Sequence, residues 1–367
     1  MSTSELAPSP LKDLYRKWAR YLPLLSFVGG FIFDALTLTR IDRWSDNLQL
    51  IAYLLLSGVA LAVLGRQQHN RLESAFLKRH IEWVQNVFNF SLGSLFSAYA
   101  IYYFRSAAFS KSYLFVGLLA VVWISSEFVP HRLVKLKIYS LLHFFCICAF
   151  FTFFLPIVTG RLGLGVFITG VAVSLVFTVL LWLVALGGGA VRRTEPVRDI
   201  FGPPILLSLF LIILYIFNWI PPVPLCIKDI GIYRSVVREK SGRYAVTYRQ
   251  PDWFEILKKD DRVFEYSKGD AIYCFASVFA PKAMRQKIYH DWQYLQSDGT
   301  WKTMSHIAYP IVGGRDGGWR GFTMKRSVTP GNWRVDVVTE NGQIISRIEL
   351  SINEVEHPQK RILTAYK

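Results

Sequence analysis

Residues 331–350, GNWRVDVVTENGQIISRIEL, place an Asn-Gly pair between two runs of alternating apolar and polar residues. Such a pair predicts a hairpin with a two-residue type I′ turn, and centring the turn on Asn341-Gly342 sets the register of both strands. The register matches apolar residues on one face and opposite charges on the other: Trp333 with Leu350, Val335 with Ile348, Arg334 with Glu349, and Asp336 with Arg347. Because a slip by one residue would move every side chain to the other face, agreement on both faces favours this hairpin.

The preceding segment repeats the pattern around Asp298-Gly299. Its register pairs residues on both faces of a second hairpin: Ile288 with Tyr309, His290 with Ile307, Trp292 with Ser305, and Asp291 with His306. The sequence has no serine or cysteine nucleophile at a defined spacing from Asp291 and His306, so we interpret them as an exposed cross-strand ion pair. His290 is expected on the inner face beside Trp292, with a hydrogen bond in the core.

Short strand-like runs separated by turn signals extend over the C-terminal part: 230–237, 243–249, 270–280, 285–297, 300–312, 318–326, 332–340 and 343–352. Seven or eight short strands without a long helical pattern are typical of an immunoglobulin-like sandwich. We therefore expect residues 226–367 to form an all-β, immunoglobulin-like sandwich domain.

Before residue 220 the apolar residues gather into long blocks, in a chain of 367 residues that is 52% hydrophobic. About 20 apolar residues in a helix cross ~30 Å of hydrocarbon. We predict a transmembrane helical domain over 21–219 with seven spans: 21–38, 48–65, 84–104, 113–129, 138–158, 164–187 and 201–219. No cleavage pattern follows the first block, so we expect it to remain as a membrane anchor.

Loop charges indicate the orientation of these spans. With residues 1–20 in the cytoplasm, the inside segments contain fourteen Lys and Arg residues and the outside loops contain five. Positive residues concentrate on the cytoplasmic side of membrane proteins. This bias predicts a cytoplasmic N-terminus, and seven crossings then place the C-terminal domain outside the cytoplasm.

The same bias accounts for much of the formal net charge of +16, so no nucleic-acid partner is expected. The C-terminal part still has 23 Lys and Arg against 16 Asp and Glu, an excess that favours acidic envelope polymers or anionic lipid headgroups. The proline-rich segment 220–225, IPPVPL, predicts a stiff, extended strut between the two domains.

Residues 313–321, GGRDGGWRG, form a glycine-rich connection between two predicted strands. Phosphate-binding glycine motifs require a following helix N-terminus and a defined glycine spacing, and this segment has neither. One interpretation is a structural loop in which Arg315 and Asp316 pair locally. The other is a recognition tip, in which Trp319 and Arg320 contact a sugar or a protein partner and Arg315 and Asp316 add polar contacts.

Ionisable side chains in predicted spans are candidates for function. Asp34 lies near the outer end of the first span and Glu127 near the inner end of the fourth, so they cannot share a proton. We expect Asp34 to pair with Arg40 or Arg105, and Glu127 to pair with cytoplasmic cations. A proton or ion pathway that uses both acids is the alternative.

The four cysteines do not form a metal-binding motif. Cys146 and Cys148 lie in an apolar block and are interpreted as packing residues, as is His143 in the same span. Cys226 and Cys274 lie in the oxidising compartment of the predicted topology, where they could form a disulfide. No metal and no cofactor is expected.

Several stretches together resemble one bacterial family: GFIFDALTLTRID (30–42), YYFRSA (102–107), IPPVPL (220–225), FASVFAP (275–281), GGRDGGWRG (313–321) and residues 331–350. Its members are multi-pass membrane proteins that end in a domain of unknown function, of the type numbered 2914. The resemblance extends from about residue 12 to residue 352. It implies an architecture and no activity, so no catalytic residue is carried over.

These observations predict a non-catalytic anchor or scaffold in the bacterial inner membrane. Its extracytoplasmic sandwich would bind an envelope glycan or another membrane protein, and membrane lipids would surround its helices. The alternative is a transporter or membrane-embedded enzyme that acts on a lipid-linked substrate, with the sandwich as an accessory domain.

Overall fold

The computed structural model describes residues 29, 32, 42–106, 132–186, 197–250, 260–282, 284–315, 317–326, 328–356 and 362–367. They divide into two compact units. The described residues of the helical unit come from Met1–Ile101, Gly117–Thr152 and Phe167–Ile213. Those of the second unit, which contains every strand, come from Tyr102–Val116, Phe153–Val166 and Leu214–Lys367.

Six helices lie in the described ranges: α1 (Trp44–Gln68), α2 (Ala75–Arg79), α3 (Ile81–Ser106), α4 (Arg132–Thr159), α5 (Leu164–Leu186) and α6 (Val197–Ile216). Three segments are long and apolar enough to cross a membrane, namely Trp44–Gln68, Leu136–Thr159 and Leu164–Ala185. Phe201–Ile216 is a shorter apolar helix. The count of seven is not confirmed. The predicted span 84–104 lies in α3, which is not among the three segments, and the predicted span 201–219 corresponds to the shorter helix. The remaining two, 21–38, apart from residues 29 and 32, and all of 113–129, lie outside the described residues.

Helices α3 and α4 run in the same direction. Near their starts Gln85 Nε2 donates to Tyr139 Oη at 3.4 Å, and further along both helices Tyr99 Oη donates to the carbonyl oxygen of Cys146 at 2.8 Å. Contacts thus advance along both helices together, which is the pattern of a parallel pair.

Helices α1 and α5 run opposite to α4. Trp182 Nε1 of α5 donates to Ser140 Oγ at 2.9 Å near the start of α4, whereas Phe177 lies beside Phe151 near its end. Arg66 at the end of α1 donates from Nε to the carbonyl oxygen of Ala185 at 2.7 Å. The C-terminal ends of α1 and α5 therefore lie together, beside the start of α4.

Eleven strands are described: β1 (Cys226–Tyr233), β2 (Ser235–Arg238), β3 (Tyr244–Arg249), β4 (Val263–Tyr266), β5 (Ile272–Phe279), β6 (Arg285–Leu295), β7 (Trp301–Val312), β8 (Trp319–Lys325), β9 (Gly331–Thr339), β10 (Ile344–Glu354) and β11 (Ile362–Tyr366). They form a five-stranded sheet in the order β4-β10-β9-β6-β7, a central sheet β1-β5-β8 and a small sheet β11-β3-β2.

The central sheet is covered on both faces because β5 is apolar on both. Ala276 and Val278 pack towards the five-stranded sheet in a cluster with Leu225, which we call the Leu225 cluster: Leu225, Ala276, Val278, Ala280, Met284, Ile288, Ile311, Val337 and Ile345. Phe275 points the other way and packs with Tyr244 and Val246 of the small sheet. A β-rich C-terminal region is thus confirmed, but the two-sheet immunoglobulin-like sandwich is not, since a third sheet forms an added layer.

Both predicted hairpin registers are confirmed, pair by pair. The predicted type I′ turn is wrong. It requires positive φ at both central residues, and at this turn Gly342 has φ 75° whereas Asn341 is not in the positive-φ region. The Gly342 N–H donates to Thr339 O at 2.9 Å, and a bulge between Ile344 and Ser346 then restores the predicted register.

The segment 220–225 is not an extended strut. Its backbone turns, with the Val223 N–H donating to Pro221 O at 2.8 Å and the Leu225 N–H donating to Pro222 O at 2.9 Å. Ile220, Val223 and Leu225 are buried, and Leu225 packs within the Leu225 cluster. The apolar residues among the prolines therefore fold the segment onto the β-rich unit.

Candidate binding face

The glycines of GGRDGGWRG are explained by close backbone packing. A Cβ on Gly313 would collide with the carbonyl oxygen of Pro281, and one on Gly318, which has φ 79°, would lie 2.7 Å from Ser277 Oγ. The Gly318 N–H donates to Arg315 O at 3.0 Å and closes a turn. Asp316 lies outside the described residues, so the predicted pair of Arg315 with Asp316 stays a prediction.

Trp319 is not a fully exposed loop tip. It is half-buried and packs against the Leu225 cluster, and the guanidinium of Arg315 lies 4.4 Å from the centre of its ring. Phe322, also on β8, packs instead against the cluster that contains Tyr244 and Phe275, between the central and small sheets. Alternation along β8 thus places Trp319 and Phe322 on opposite faces of the strand.

Arg320 lies on the opposite side of β8 from Trp319. Its Nη1 donates to the carbonyl oxygen of Lys367 at 3.1 Å, and its own carbonyl oxygen accepts from Tyr244 Oη at 3.3 Å. These contacts tie Arg320 to the small sheet. A binding role for Arg315, Trp319 and Arg320 stays a prediction.

Asp34 and Glu127, the acids predicted to lie within spans, are outside the described residues, as is Arg40. Arg105 lies in the last turn of α3, and only its backbone is described. The predicted pairs and the alternative ion pathway therefore stay predictions.

Helix α3 carries buried polar side chains in the middle of the helical unit. Asn89, Ser91 and Ser94 are fully buried and have no hydrogen-bond partner within the described ranges. An unpaired buried polar group costs roughly 1–3 kcal/mol, so this stretch differs from an ordinary packed helix. His143 of α4 lies with Nε2 3.2 Å from Leu54 O, which confirms its predicted hydrogen-bonded packing role.

A buried polar network lies between the five-stranded and central sheets. His290 is fully buried, with Nδ1 2.9 Å from Thr323 Oγ1 and Nε2 3.1 Å from Tyr309 Oη. Trp292 Nε1 donates to the same threonine hydroxyl at 3.0 Å. Burial lowers the pKa of His290 to about 3. The imidazole is therefore neutral at physiological pH, and the predicted core role of His290 is confirmed.

A row of four ionisable side chains crosses the outer face of the five-stranded sheet, with His306 on β7, Asp291 on β6, Asp336 on β9 and Arg347 on β10, and of these Asp336 is buried. Arg347 donates to Asp336 from Nε at 2.6 Å and from Nη2 at 2.7 Å, and these bonds raise the pKa of Arg347. His306 Nδ1 lies within hydrogen-bond distance of Asp291 Oδ1, which confirms the predicted pair. The two carboxylates face each other across neighbouring strands, and each has its own basic partner.

Aromatic rings flank this row. His306 stacks on Tyr289 with ring centres 4.2 Å apart, and the Arg334 guanidinium lies 4.4 Å from the centre of the Trp301 ring. Arg334 Nε also donates to Gln293 Oε1 at 2.6 Å, and its partial burial lowers its pKa. We call this surface the polar face: Tyr289, Asp291, Gln293, Trp301, His306, Arg334, Asp336 and Arg347.

The pairs within the polar face were predictable from the sequence, but the face itself was not. Asp291 with His306 and Asp336 with Arg347 are predicted from sequence only as pairs of two separate hairpins. The missing information was the pairing of β6 with β9, which are separated in sequence by β7 and β8.

Neither a disulfide nor a metal centre occurs in the part of the chain that the structure describes. Cys226 pairs across the sheet with Phe279, and Cys274 pairs with Ile232. The two cysteines are therefore about 17 Å apart along the strands, whereas the Cα atoms of a disulfide lie within about 7 Å. The disulfide considered from sequence is excluded in this fold. Cys146 and Cys148 are buried, as expected of packing residues.

Apolar helices of membrane-spanning length followed by a β-rich domain define the class of this protein. Residues 285–352 match the family model DUF2914, described as a protein of unknown function. The resemblance inferred from sequence is thereby confirmed for these residues. The match contains β6–β9 and nearly all of β10, and with them every residue of the polar face.

No curated protein matches the chain. Among solved structures, a beta-glucosidase from Listeria innocua in complex with gluconolactone is 11% identical, with a TM-score of 0.19, over 30% of this chain and 16% of its own. The Pseudomonas fluorescens alkylpurine DNA glycosylase AlkC, bound to DNA containing an abasic site analog, is 15% identical, with a TM-score of 0.21, over 82% of each chain. This chain thus spans 16% of the length of the glucosidase. Scores this low carry no argument about fold or function.

Proposed function

We propose that this chain is a non-catalytic, multi-pass protein of the bacterial inner membrane, whose extracytoplasmic β-rich domain binds an envelope glycan. The observation that carries the binding proposal is the polar face. It brings carboxylate, guanidinium, amide and aromatic side chains onto one sheet surface, inside the segment that matches the family model.

The chemistry of the polar face suits a glycan. Planar carboxylate and guanidinium groups can form paired hydrogen bonds with the hydroxyl and amide groups of sugars. Aromatic rings such as Tyr289 and Trp301 offer apolar surface to the faces of sugar rings while keeping a polar edge. His306 and Met304, which are 54% and 47% exposed, show that β7 presents this edge of the sheet to solvent.

The helix directions support seven crossings with a cytoplasmic N-terminus. Alternating spans require α1 parallel to α5, α3 parallel to α4, and the two pairs opposed, which agrees with the contacts of these helices. Two parallel helices can be joined only by a connection that returns across the bundle, which supports the span predicted at 113–129. The basic bias then assigns the end that holds Arg66 to the cytoplasm.

The β-rich domain is assigned to the opposite side of the membrane. Leu162, in the four-residue connection between α4 and α5, packs against the Leu225 cluster, and a Cβ on Gly163 would lie 3.4 Å from Asn341 Nδ2. Both belong to the same compact unit as the strands. These contacts support an extracytoplasmic location, since the same connection is an outside loop in the proposed topology.

The glycan proposal is tested with the full-length chain in nanodiscs and isolated peptidoglycan or envelope polysaccharide. We expect Trp301→Ala and Arg334→Ala each to weaken binding about tenfold, the effect of losing a contact worth roughly 1.4 kcal/mol. The matched controls are Arg243→Ala and Tyr366→Ala, because this cation–aromatic pair, 5.4 Å apart, lies on the small sheet outside the family segment.

Retention of a glycan by the wild type and both controls, with loss in the two polar-face variants, would support the proposal. Equal weakening in all four variants, or no retained glycan, would contradict it. Photo-crosslinking from the polar face then tests for the other expected partner, a second membrane protein.

The unpaired side chains of α3 favour one alternative, a transporter or membrane-embedded enzyme for a lipid-linked substrate with the β-rich domain as accessory. Polar groups buried in a membrane bundle commonly mark a pathway or substrate site. Asn89→Leu removes two unpaired polar atoms. It should raise thermal stability in a purely structural bundle, whereas an unchanged stability with loss of a transport or growth phenotype would favour the alternative.

A further inference from the structure

The glycine-rich loop of residues 313–321, called the glycine loop below, lies at the same end of the β-rich unit as the α4–α5 connection. Trp319 and Leu162 pack against the same Leu225 cluster. Helix α4 ends at Thr159 and α5 begins at Leu164, so this connection is short and stays close to the helix ends. If these two helices span the membrane, as proposed above, this end of the unit lies at the membrane surface.

Three exposed cations converge at this end from two neighbouring segments. Lys282 and Arg285 come from the connection before β6 and the start of β6, and Arg315 comes from the glycine loop. Backbone hydrogen bonds join the two segments, from Gly313 N–H to Met284 O at 2.9 Å and from Gly314 N–H to Ala280 O at 3.0 Å.

The two segments are strongly basic. Residues 280–290 contain no acidic residue, and Asp316 is the only one in 310–325. Arg161, in the α4–α5 connection, adds another exposed cation at the same end. The polar headgroup layer extends roughly 5–8 Å beyond the hydrocarbon on each side of a bilayer. The side chains of Lys282, Arg285 and Arg315 are therefore placed to reach it.

We propose that Lys282, Arg285 and Arg315 form a contact site for anionic phospholipid headgroups in the outer leaflet, which we call the headgroup site. This inference rests on the membrane-spanning part of the proposed function and is independent of glycan binding. Lys and Arg near an anionic surface are attracted to it, and the packed glycines hold the three cations on a rigid backbone. Trp319, half-buried beneath Arg315, supports the site and lies at the depth that tryptophan favours in membrane proteins.

The opposite end of the domain provides a matched control. Lys268, Lys302 and Arg326 are exposed there, beside the end of the central sheet where Ile272 pairs with Lys325. Eight residues of β5 separate the two ends, which corresponds to about 24 Å. That separation exceeds the ~8 Å screening length at physiological salt, so these cations should not sense the membrane charge.

The test compares the full-length chain in nanodiscs of phosphatidylcholine alone with discs that also contain phosphatidylglycerol. Hydrogen–deuterium exchange is followed in peptides covering 280–288 and 313–321. We expect phosphatidylglycerol to slow exchange there by about fivefold or more, the factor for one cation held near an anionic surface. The K282Q/R285Q/R315Q variant should lose this dependence, and K268Q/K302Q/R326Q should keep it.

Soluble glycerophosphoglycerol should not replace the lipid, because the site is proposed to bind headgroups in a membrane surface. Equal exchange of the wild type in the two discs would overturn the inference, as would protection by the soluble headgroup alone or equal loss in both triple variants. A chain that does not enter nanodiscs would instead contradict the membrane-spanning proposal. Failure to retain a glycan would leave the headgroup site unaffected.

Discussion

Trp319 packs against apolar residues and also contacts the guanidinium of Arg315. These contacts predict an intermediate contribution of Trp319 to the free energy of unfolding. One side packs against the Leu225 cluster and Arg315 covers the ring. Trp319→Ala should lower the free energy of unfolding by about 1–3 kcal/mol, less than the ~3–5 kcal/mol expected for Trp292→Ala or Trp333→Ala, whose side chains are fully buried. Hydrogen exchange of the slowest β9 amides in the full chain measures all three.

A change below about 0.5 kcal/mol for Trp319→Ala would show that the side chain behaves as an ordinary surface residue. A loss equal to that of Trp333→Ala would make it a full core residue. Either result contradicts the half-buried position of Trp319 between the cluster and Arg315.

His290 predicts a pH dependence of stability. Its pKa is about 3 in the folded domain against an ordinary value of 6.5, so the unfolded chain binds one more proton between these values. The stabilisation is complete above pH 6.5 and is lost as the pH falls from there towards 3, with a slope of about 1.4 kcal/mol per pH unit. His290→Asn should remove this part of the slope in unfolding measurements between pH 6.5 and 4. An unchanged slope would mean that the pKa of His290 is not lowered in the folded domain.

The hairpin turns show at the level of the element what a local pattern can and cannot predict. The register of β9 and β10 was predictable because complementary side chains occur on both faces within one short stretch. The turn type was not, because a turn with one left-handed glycine followed by a bulge gives the same register as the predicted type I′ turn. Strands β4 and β11 were missed, and β1 and β2 were predicted as one run, because short segments carry little alternation.

The turn geometry makes a direct prediction. Gly342 has φ 75° with nothing near its added Cβ, so Gly342→Ala should cost about 1 kcal/mol from backbone strain alone. Asn341→Ala should cost only a few tenths of a kcal/mol, because Asn341 is outside the positive-φ region. The free energy of unfolding of the two variants decides between the turns, since a type I′ turn would make both substitutions costly.

At the scale of the whole molecule, the composition of the sequence predicted two parts, and the arrangement of sheets within the second part required the structure. Long apolar blocks and a C-terminal series of short strands are visible without coordinates. The third sheet is not visible in the sequence, because β5 is buried on both faces. A continuous apolar run lacks the alternation that would show which residues face which neighbouring sheet. The polar face was hidden for a related reason, since it depends on β6 lying beside β9.

The topology of the whole chain can be tested with reporter fusions. We expect a green-fluorescent fusion after Arg71 to be bright, because α1 ends at the predicted cytoplasmic side. Alkaline-phosphatase fusions after Arg161 and after Lys367 should be active, because α4 runs opposite to α1 and the domain packs against the α4–α5 connection. The complementary reporter at each site serves as the control.

Each possible disagreement identifies a different error. The same reporter active after Arg71 and Arg161 would contradict the opposed directions of α1 and α4. Reversal at all three sites would leave the helix directions intact and would contradict the orientation derived from the basic bias, as expected if the predicted first span does not cross and the N-terminus stays in the cytoplasm. Activity after Arg161 without activity after Lys367 would mean that α6 does not cross. Its fully apolar part, Phe201–Ile216, is about 24 Å long at 1.5 Å per residue and needs its more polar first turn to span ~30 Å of hydrocarbon. The packing of Leu162 against the Leu225 cluster argues against that last outcome, because it keeps the α4–α5 connection and the β-rich domain on one side of the membrane.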